Sequence, residues 1–230
     1  MPINILNHLA VIMDGNRRWA TKNKKSIKAA YTKGAEVIKE LIKYCIKYRI
    51  KHLTLYAFSE ENWMRPKFQV SLILSLMKQY LLKESGYIND QNIKLNVIGN
   101  LSKLTSFIQN KIKEVIDTTK NNTVLNLYIA FSYGGKQEIV NACKNALKLN
   151  LNHENLDIKK FNNLLYQPNM PDVDLLIRTG GYQRLSNFLL WQTAYSELYF
   201  SSKHWPDFLE EDLCNAIKYF YKSNRTFGVC

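Results

Sequence analysis

Acidic residues are scarce in this chain. Nineteen Asp and Glu stand against thirty-two Lys and Arg over 230 residues, a formal net charge of +13. An excess of that size favours anionic partners, whether nucleic acid, an acidic membrane surface or phosphorylated substrates, without choosing among them. Many of the lysines lie in Asn- and Ile-rich stretches, where any single one reads equally well as a solvated surface charge. Cysteine is sparse too: Cys45, Cys143, Cys214 and Cys230 are scattered, with no CxxC pair. That spacing excludes a zinc site and a disulfide framework, and predicts reduced thiols in a cytoplasmic protein. No run reaches the roughly 20 apolar residues that span a bilayer. The N-terminus lacks the cationic start and apolar stretch of a secretory signal. Also absent are GxxxxGK[ST], a GxGxxG turn after the first apolar run, and GxSxG, which removes phosphate-loop, dinucleotide and nucleophile-elbow chemistry. His8, His52, His153 and His204 lie in unrelated contexts, and none is assigned a catalytic role. No nucleic-acid recognition motif is visible, so nucleic acid is not expected as a partner.

What remains is ordinary globular composition, 46% hydrophobic and 22% charged, in a length that buries one large core. Apolar runs of strand length recur at Leu9–Met13, His52–Phe58, Ile93–Gly99, Val124–Phe131, Val173–Thr179 and Leu198–Ser201. Helical spacing fills Ala29–Tyr48, Val70–Tyr87, Leu101–Thr119, Lys136–Leu149 and Ile158–Tyr166, and a last helix from about Asp207 to Lys222 follows Pro206. Alternating strand and helix, with strands apolar on both sides, predicts an α/β fold. It is a mostly parallel central sheet of about six strands with helices on both faces. No repeat, linker or low-complexity tract divides the chain, so residues 1–230 are expected to be one domain. Val70–Leu82 is apolar on far more than one stripe. It is buried on two faces, or lies at a dimer contact, or packs on the sheet while lining an apolar cavity.

In a parallel sheet the strand tails meet on one rim, where ligands bind. The first tail reads DGNRRWA. Asp14 followed by Gly15 and Asn16 predicts a tight turn with exposed N–H groups. A carboxylate there suits a hard cation, and Arg17 and Arg18 suit phosphate oxygens. An ion pair of Asp14 with Arg17 or Arg18 at a surface turn remains the alternative, a contact of about 0–1 kcal/mol. The fifth tail, IRTGGYQRLSNF, supplies Arg178, Gly180, Gly181, Arg184 and Ser186, a second oxyanion pocket in which the double glycine lets backbone approach an anion. Two such pockets predict a reaction between two phosphorylated molecules. Glu197 in AYSELYF is the best second acid, and FSEENWMRP could bind a molecule apolar at one end and charged at the other.

Together MDGNRRWA, TLYAFSEENWMRP, SYGGK, IRTGGYQRLSNFLLWQ and AYSELYF resemble the cis-prenyltransferases, the family of undecaprenyl diphosphate synthase, over almost the whole chain. The resemblance implies magnesium-dependent addition of isopentenyl diphosphate to an allylic diphosphate such as farnesyl diphosphate, by a homodimer. Carried over by position, Asp14 acts through Mg2+, with Glu197 completing the metal site. Gly15, Asn16, Arg17 and Arg18 hold the allylic diphosphate, with Trp19 beside them. Ser59, Glu60, Glu61, Trp63 and Arg65 shape the substrate site, and Arg178, Arg184, Leu185 and Ser186 hold isopentenyl diphosphate. The family's proton acceptor falls on Asn62. A carboxamide has no useful basicity near neutral pH, so Asn62 reads as orienting a substrate while the departing diphosphate takes the proton. The helix at Val70–Leu82 becomes a wall of the tunnel for the growing chain. The greasy product and basic charge imply transient contact with the inner membrane surface.

The chain departs from the family at several positions. SIKAAYTKG keeps Gly34 but has Tyr31 where His is common, and offers no clean arginine at Ile27 or Lys28. SYGGK follows a bulky Phe131, Gln183 precedes Arg184 in place of His, and the C-terminal motif is reduced to NRTFGVC, keeping Arg225, Phe227 and Gly228. A noncatalytic, lipid-binding relative is the competing reading; such a protein would be expected to lose Asp14 or RTGG, and both are present.

Overall fold

Six apolar runs of four to nine residues form one sheet in a computed structural model that describes residues 5–225. They are β1 (His8–Ile12), β2 (His52–Ser59), β3 (Ile93–Ile98), β4 (Leu125–Tyr133), β5 (Leu175–Arg178) and β6 (Glu197–Phe200). Their order is β3-β4-β2-β1-β5-β6 and every pairing is parallel. Seven helices accompany them among the described residues: α1 (Asn16–Lys22), α2 (Ile27–Lys47), α3 (Lys67–Asp90), α4 (Ser106–Thr119), α5 (Gly135–Lys148), α6 (Ile158–Asn162) and α7 (Glu210–Lys222).

The strands are apolar on both sides because both sides are covered. Leu9, Val11, Leu53, Leu55, Leu175 and Ile177 pack with Leu41, Ile42 and Cys45 of α2 and with Leu213, Ala216 and Phe220 of α7. Each such aliphatic side chain contributes about 1.5–3 kcal/mol on burial. Ala10, Ile12 and Leu176, one residue out of phase, face Tyr133, Phe188 and Leu189. α5 is joined to that side through buried Glu138, whose carboxylate accepts from the Tyr133 hydroxyl at 2.6 Å, Gln192 at 3.0 Å and the Tyr166 N–H at 3.1 Å. The chain leaves β1 towards β2 on one side and leaves β5 towards β6 on the other. The crevice between β1 and β5 is therefore where strand order reverses, and register places Arg178 opposite Ile12 with Asp14 just beyond.

The expected sheet is present, and most element ends fall within a residue or two. α3 runs three residues beyond the expected Val70–Tyr87 at each end, and most other differences lie where a hydrogen bond takes a backbone group. The DGNRRWA stretch is a helix from Asn16 onwards, with Trp19 N–H donating to Gly15 O at 2.8 Å, rather than a turn alone. α4 starts at Ser106, because Asn100 accepts from Ser102 N–H and closes Leu101–Lys103 into a separate 3-10 turn. α6 stops at Asn162, short of Tyr166, whose N–H goes to Glu138. α7 starts at Glu210, since Asp212 accepts from Leu209 N–H and Pro206 belongs to a separate 3-10 turn, Trp205–Asp207. β5 starts at Leu175, because Val173 N–H donates to Gln192 O.

The end of the sheet away from the crevice is fixed by His8, fully buried, with Nδ1 2.8 Å from Pro171 O and Nε2 2.8 Å from Thr54 Oγ1. Burial holds its pKa down at about 4, against a smaller opposing effect of the Pro171 carbonyl. The unfolded chain binds a proton near pH 6.5 that the folded chain refuses until about pH 4, so stability falls as pH drops through that window, by about 1.4 kcal/mol per unit. Urea unfolding of the wild type between pH 7 and 4 is expected to show this slope, and His8→Asn to flatten it; equal slopes would assign the acid sensitivity elsewhere.

Candidate active site

Asp14 lies in the β1/β5 crevice. Its Oδ1 accepts from Gly15 N–H at 2.6 Å and pairs with Arg18 Nη2 at 3.1 Å, while Oδ2 pairs with Arg178 Nη2 at 3.0 Å. The main chain is fixed at the same point: Trp205 N–H and the Thr179 hydroxyl both donate to Asp14 O, at 3.0 and 2.7 Å. Gly15 at φ +107° reverses the chain directly against His204, where a Cβ would come within 2.9 Å of His204 Cα. α1 then starts with the N–H groups of Asn16, Arg17 and Arg18 free of intrahelical acceptors, as at any helix start. Asn16 donates to Met13 O at 3.2 Å, and its buried Oδ1 has no donor among the described residues. The pairing expected as an alternative, Asp14 with Arg18, is present, but Arg178 from the neighbouring strand shares the carboxylate.

Arg178 is 5% exposed at its side chain. Besides Asp14 it donates to Ser186 Oγ at 2.7 Å and to Arg184 O, and its Nε has no acceptor among the described residues. Arg178 lines the cavity with Ser186, and the exposed Arg184 guanidinium lies over the same Tyr182 ring, a strand end that can receive an oxyanion. The double glycine does not cradle an anion with its amides. Gly180 and Gly181 N–H donate to Lys203 O and Ser201 O at 2.7 and 2.9 Å. Their positive φ values, +85° and +81°, serve the reversal, and Gly180 O accepts from Arg18 Nη1. The SYGGK glycines likewise make room for the Ser186–Leu190 loop: a Cβ on Gly134 would meet Asn187, and one on Gly135 would meet Leu190.

FSEENWMRP forms a 3-10 turn, Glu60–Met64, beyond β2. Asn62 Oδ1 accepts from Ser59 N–H at 3.2 Å, so the carboxamide oxygen is committed to the backbone and its NH2 remains as a donor at the cavity. That geometry supports an orienting role for Asn62 over proton acceptance. Glu61 accepts from Asn187 Nδ2 at 2.8 Å; desolvation raises its pKa, but the Asn187 and Ser59 hydrogen bonds outweigh it and hold the carboxyl below its usual value. Glu60 accepts from Ser132 Oγ at 2.7 Å and pairs with Lys103. Arg65 lies 3.4 Å from the Tyr31 hydroxyl, so Tyr31, standing where the family has histidine, faces the same pocket.

Behind this polar rim opens a cavity of about 1320 Å³ between α2, α3 and the sheet. Ile38 and Ile42 of α2, Ile73, Met77 and Leu81 of α3, and Val97 of β3 give it apolar walls. The unusually oily α3 is thus a cavity wall, as expected, and Phe131 lines the cavity while stacking on Phe58 at 5.0 Å.

The structure brings Asp14, Gly15, Asn16, Arg17, Arg18, Ser59, Glu61, Asn62, Arg65, Arg178 and Ser186 to one cavity. Others lie aside. Trp19 is buried against Ala20 and Ala30 and donates to Asp207 at 2.7 Å. Trp63 donates to Ser132 at 2.8 Å and packs edge-on against Phe58. Leu185 packs into the core with Phe188 and Leu189. Glu197 starts β6 opposite Leu175, three residues before the level of Arg178, on the order of 10 Å down the strand. Within one chain it does not meet Asp14, and among the described residues no three His, Cys, Asp or Glu converge as a metal site. Phe227 and Gly228 lie outside the described residues; Arg225 pairs with Asp174 at 2.9 Å. Two residues escaped the sequence reading: Asn187, which joins Glu61 and Gln137, and Tyr182, which meets three arginines.

A parallel sheet with a guanidinium-flanked acid at its reversal point and an oily cavity beneath defines a pocket for amphipathic anions. Residues 12–228 match the family model described as undecaprenyl diphosphate synthase, and the chain belongs to this family of prenyl transferases. The isoprenyl transferase of Rickettsia prowazekii is 45% identical over 225 residues, 97% of this chain and 98% of that protein. The ditrans,polycis-undecaprenyl-diphosphate synthase ((2E,6E)-farnesyl-diphosphate specific) of Pasteurella multocida is 44% identical over 232 residues, 99% and 96% of the two chains. The crystal structure of lavandulyl diphosphate synthase from Lavandula x intermedia, in complex with dimethylallyl diphosphate, has a TM-score of 0.91 at 31% identity, covering 96% of this chain and 98% of that one.

Inorganic pyrophosphate is expected to raise the unfolding temperature of the wild type at fixed ionic strength, through binding to the folded state alone. Arg18→Gln and Arg184→Gln should each reduce that rise. Equal shifts in all three proteins would place the anion elsewhere.

Proposed function

We propose that the protein extends an allylic diphosphate, with farnesyl diphosphate as primer, by sequential cis addition of isopentenyl diphosphate. The product is a long-chain polyprenyl diphosphate such as undecaprenyl diphosphate, the lipid-carrier precursor for cell-wall glycan synthesis. The observation that carries this reading is the continuity of the Asp14–Arg18–Arg178 crevice with the apolar cavity between α2 and α3. A diphosphate at the crevice places its prenyl tail against the mainly apolar walls of Ile38, Ile42, Ile73, Met77, Leu81 and Val97.

In this reading Arg18 and the first-turn amides of α1 hold the allylic diphosphate, and Arg178, Arg184 and Ser186 hold isopentenyl diphosphate. As the allylic C–O bond breaks, negative charge grows on the leaving diphosphate, and fixed guanidiniums stabilise it more in the transition state than in the ground state. The isopentenyl double bond forms the new C–C bond, and the proton lost from its C2 goes to the departing diphosphate, since the Asn62 carboxamide has no useful basicity near neutral pH. Holding the two molecules side by side supplies the proximity contribution. Asp14, which lines the cavity and is 29% exposed at its side chain, would hold a Mg2+, which would supply further charge neutralisation for the diphosphate. Glu197 would join that site only from another chain, in keeping with a proposed homodimer in which β6, the sheet edge, lies at the interface. A cytoplasmic location with transient contact at an anionic membrane surface completes the proposal, favoured by the +13 charge. Among the described residues no helix is long and apolar enough to cross a membrane.

Farnesyl and isopentenyl diphosphates with Mg2+ are expected to yield a ladder of longer prenyl diphosphates, abolished by chelator. Asp14→Ala should lower kcat by about 10²–10³-fold with an unchanged circular dichroism spectrum. A wild type that makes no longer product contradicts the proposal, and undiminished turnover in Asp14→Ala removes that residue from the mechanism.

A further inference from the structure

Arg18 and Arg178 each reach Asp14, but no carboxylate among the described residues pairs with the Arg184 guanidinium. What it meets is a ring. The guanidinium carbon of Arg184 lies 4.1 Å from the centroid of Tyr182, that of Arg18 4.5 Å and that of Arg178 5.8 Å. All three fall inside the roughly 6 Å over which an aromatic face attracts a cation. The ring is 42% exposed and lines the cavity mouth. Its position follows from the chain before it, since Gly180 and Gly181 are tied to Lys203 O and Ser201 O just beyond β6.

We propose that Tyr182 is a positioning residue, whose ring face holds Arg184 beside Arg18 before either diphosphate arrives. Like-charged guanidiniums repel and, when exposed, wander; ordering them at the moment of binding weakens affinity. A carboxylate would order them too, but it would neutralise them and compete with phosphate. The ring does neither. It is neutral, so the positive field stays available. The guanidiniums lie over the ring, while phosphate uses their N–H edges, so the cation–π contact and anion binding coexist. One ring touching arginines of both anion pockets fixes the spacing between the two diphosphates.

The kinetic part of this inference rests on the elongation reading, whereas its binding part does not. Steady-state kinetics and equilibrium binding of inorganic pyrophosphate would be measured for wild type, Tyr182→Ala and Tyr182→Phe. Tyr182→Ala is expected to raise KM for isopentenyl diphosphate and weaken pyrophosphate binding, each about three- to thirtyfold, with kcat nearly constant. Tyr182→Phe, which keeps the ring face, should restore both. A Phe variant as weak as the Ala variant would assign the effect to the hydroxyl and overturn the inference. So would an Ala variant that binds like wild type, or one that loses kcat at unchanged KM. If the wild type transfers no isopentenyl unit, the elongation reading fails, and the pyrophosphate comparison still decides the role of Tyr182.

Discussion

One carboxylate shared by two guanidiniums from different strand ends organises this molecule. Arg178 is nearly buried, and a buried cation is tolerated only against an anion, with acceptors for most of its N–H groups. Asp14 supplies the anion, Ser186 and Arg184 O the acceptors. Parallel register of β1 with β5 sets the separation, Gly15 turns the chain there, and Thr179 and Trp205 hold the Asp14 carbonyl. Such a pair adds little net stability, because desolvation offsets the Coulombic gain. Its consequence is positional: two sets of guanidiniums are held on either side of one acid, at the place where the sheet's connections diverge.

The division between rim and cavity follows from the same geometry. Cations and hydroxyls collect beyond the carboxyl ends of the strands, and the gap between α2 and α3 below is walled mainly by aliphatic and aromatic side chains, with the Lys39–Glu84 ion pair, at 2.7 Å, bridging the two helices. A ligand with a doubly charged head and a hydrocarbon tail satisfies both regions at once. The charged pair in the cavity lining, Lys39 with Glu84 at 2.7 Å, is matched within itself and gives little to a second charged end. In the proposed reading, polarity along one axis sets the substrate class, and the arginines' spacing sets how two heads lie together.

The sheet was legible because parallel strands buried on two faces are near-continuous apolar runs, as in HLAVI and LLIR. α3 was legible as a cavity wall because it carries more apolar surface than one packing face needs. Boundaries slipped where side chains and distant amides intervened: Glu138 ending α6, Asn100 splitting the start of α4, Asp212 delaying α7. Composition at the site named Asp14, Arg18, Arg178 and Ser186, but it could not say which groups were already consumed. The amides of Gly180 and Gly181 are spent on backbone carbonyls, the Asn62 oxygen on Ser59, and Trp19 on Asp207. Tyr182 sat unmarked between the glycines and Arg184, since a tyrosine in a loop carries no signal until its neighbours are placed.

The central claim is that one crevice holds two diphosphates side by side, one on each set of guanidiniums. Equilibrium binding of isopentenyl diphosphate, measured with and without a saturating unreactive thio-analogue of farnesyl diphosphate, tests it most directly. The account predicts that both ligands occupy each chain together, one of each. Displacement of isopentenyl diphosphate from its high-affinity site as the analogue fills would mean a single shared pocket, and would contradict it.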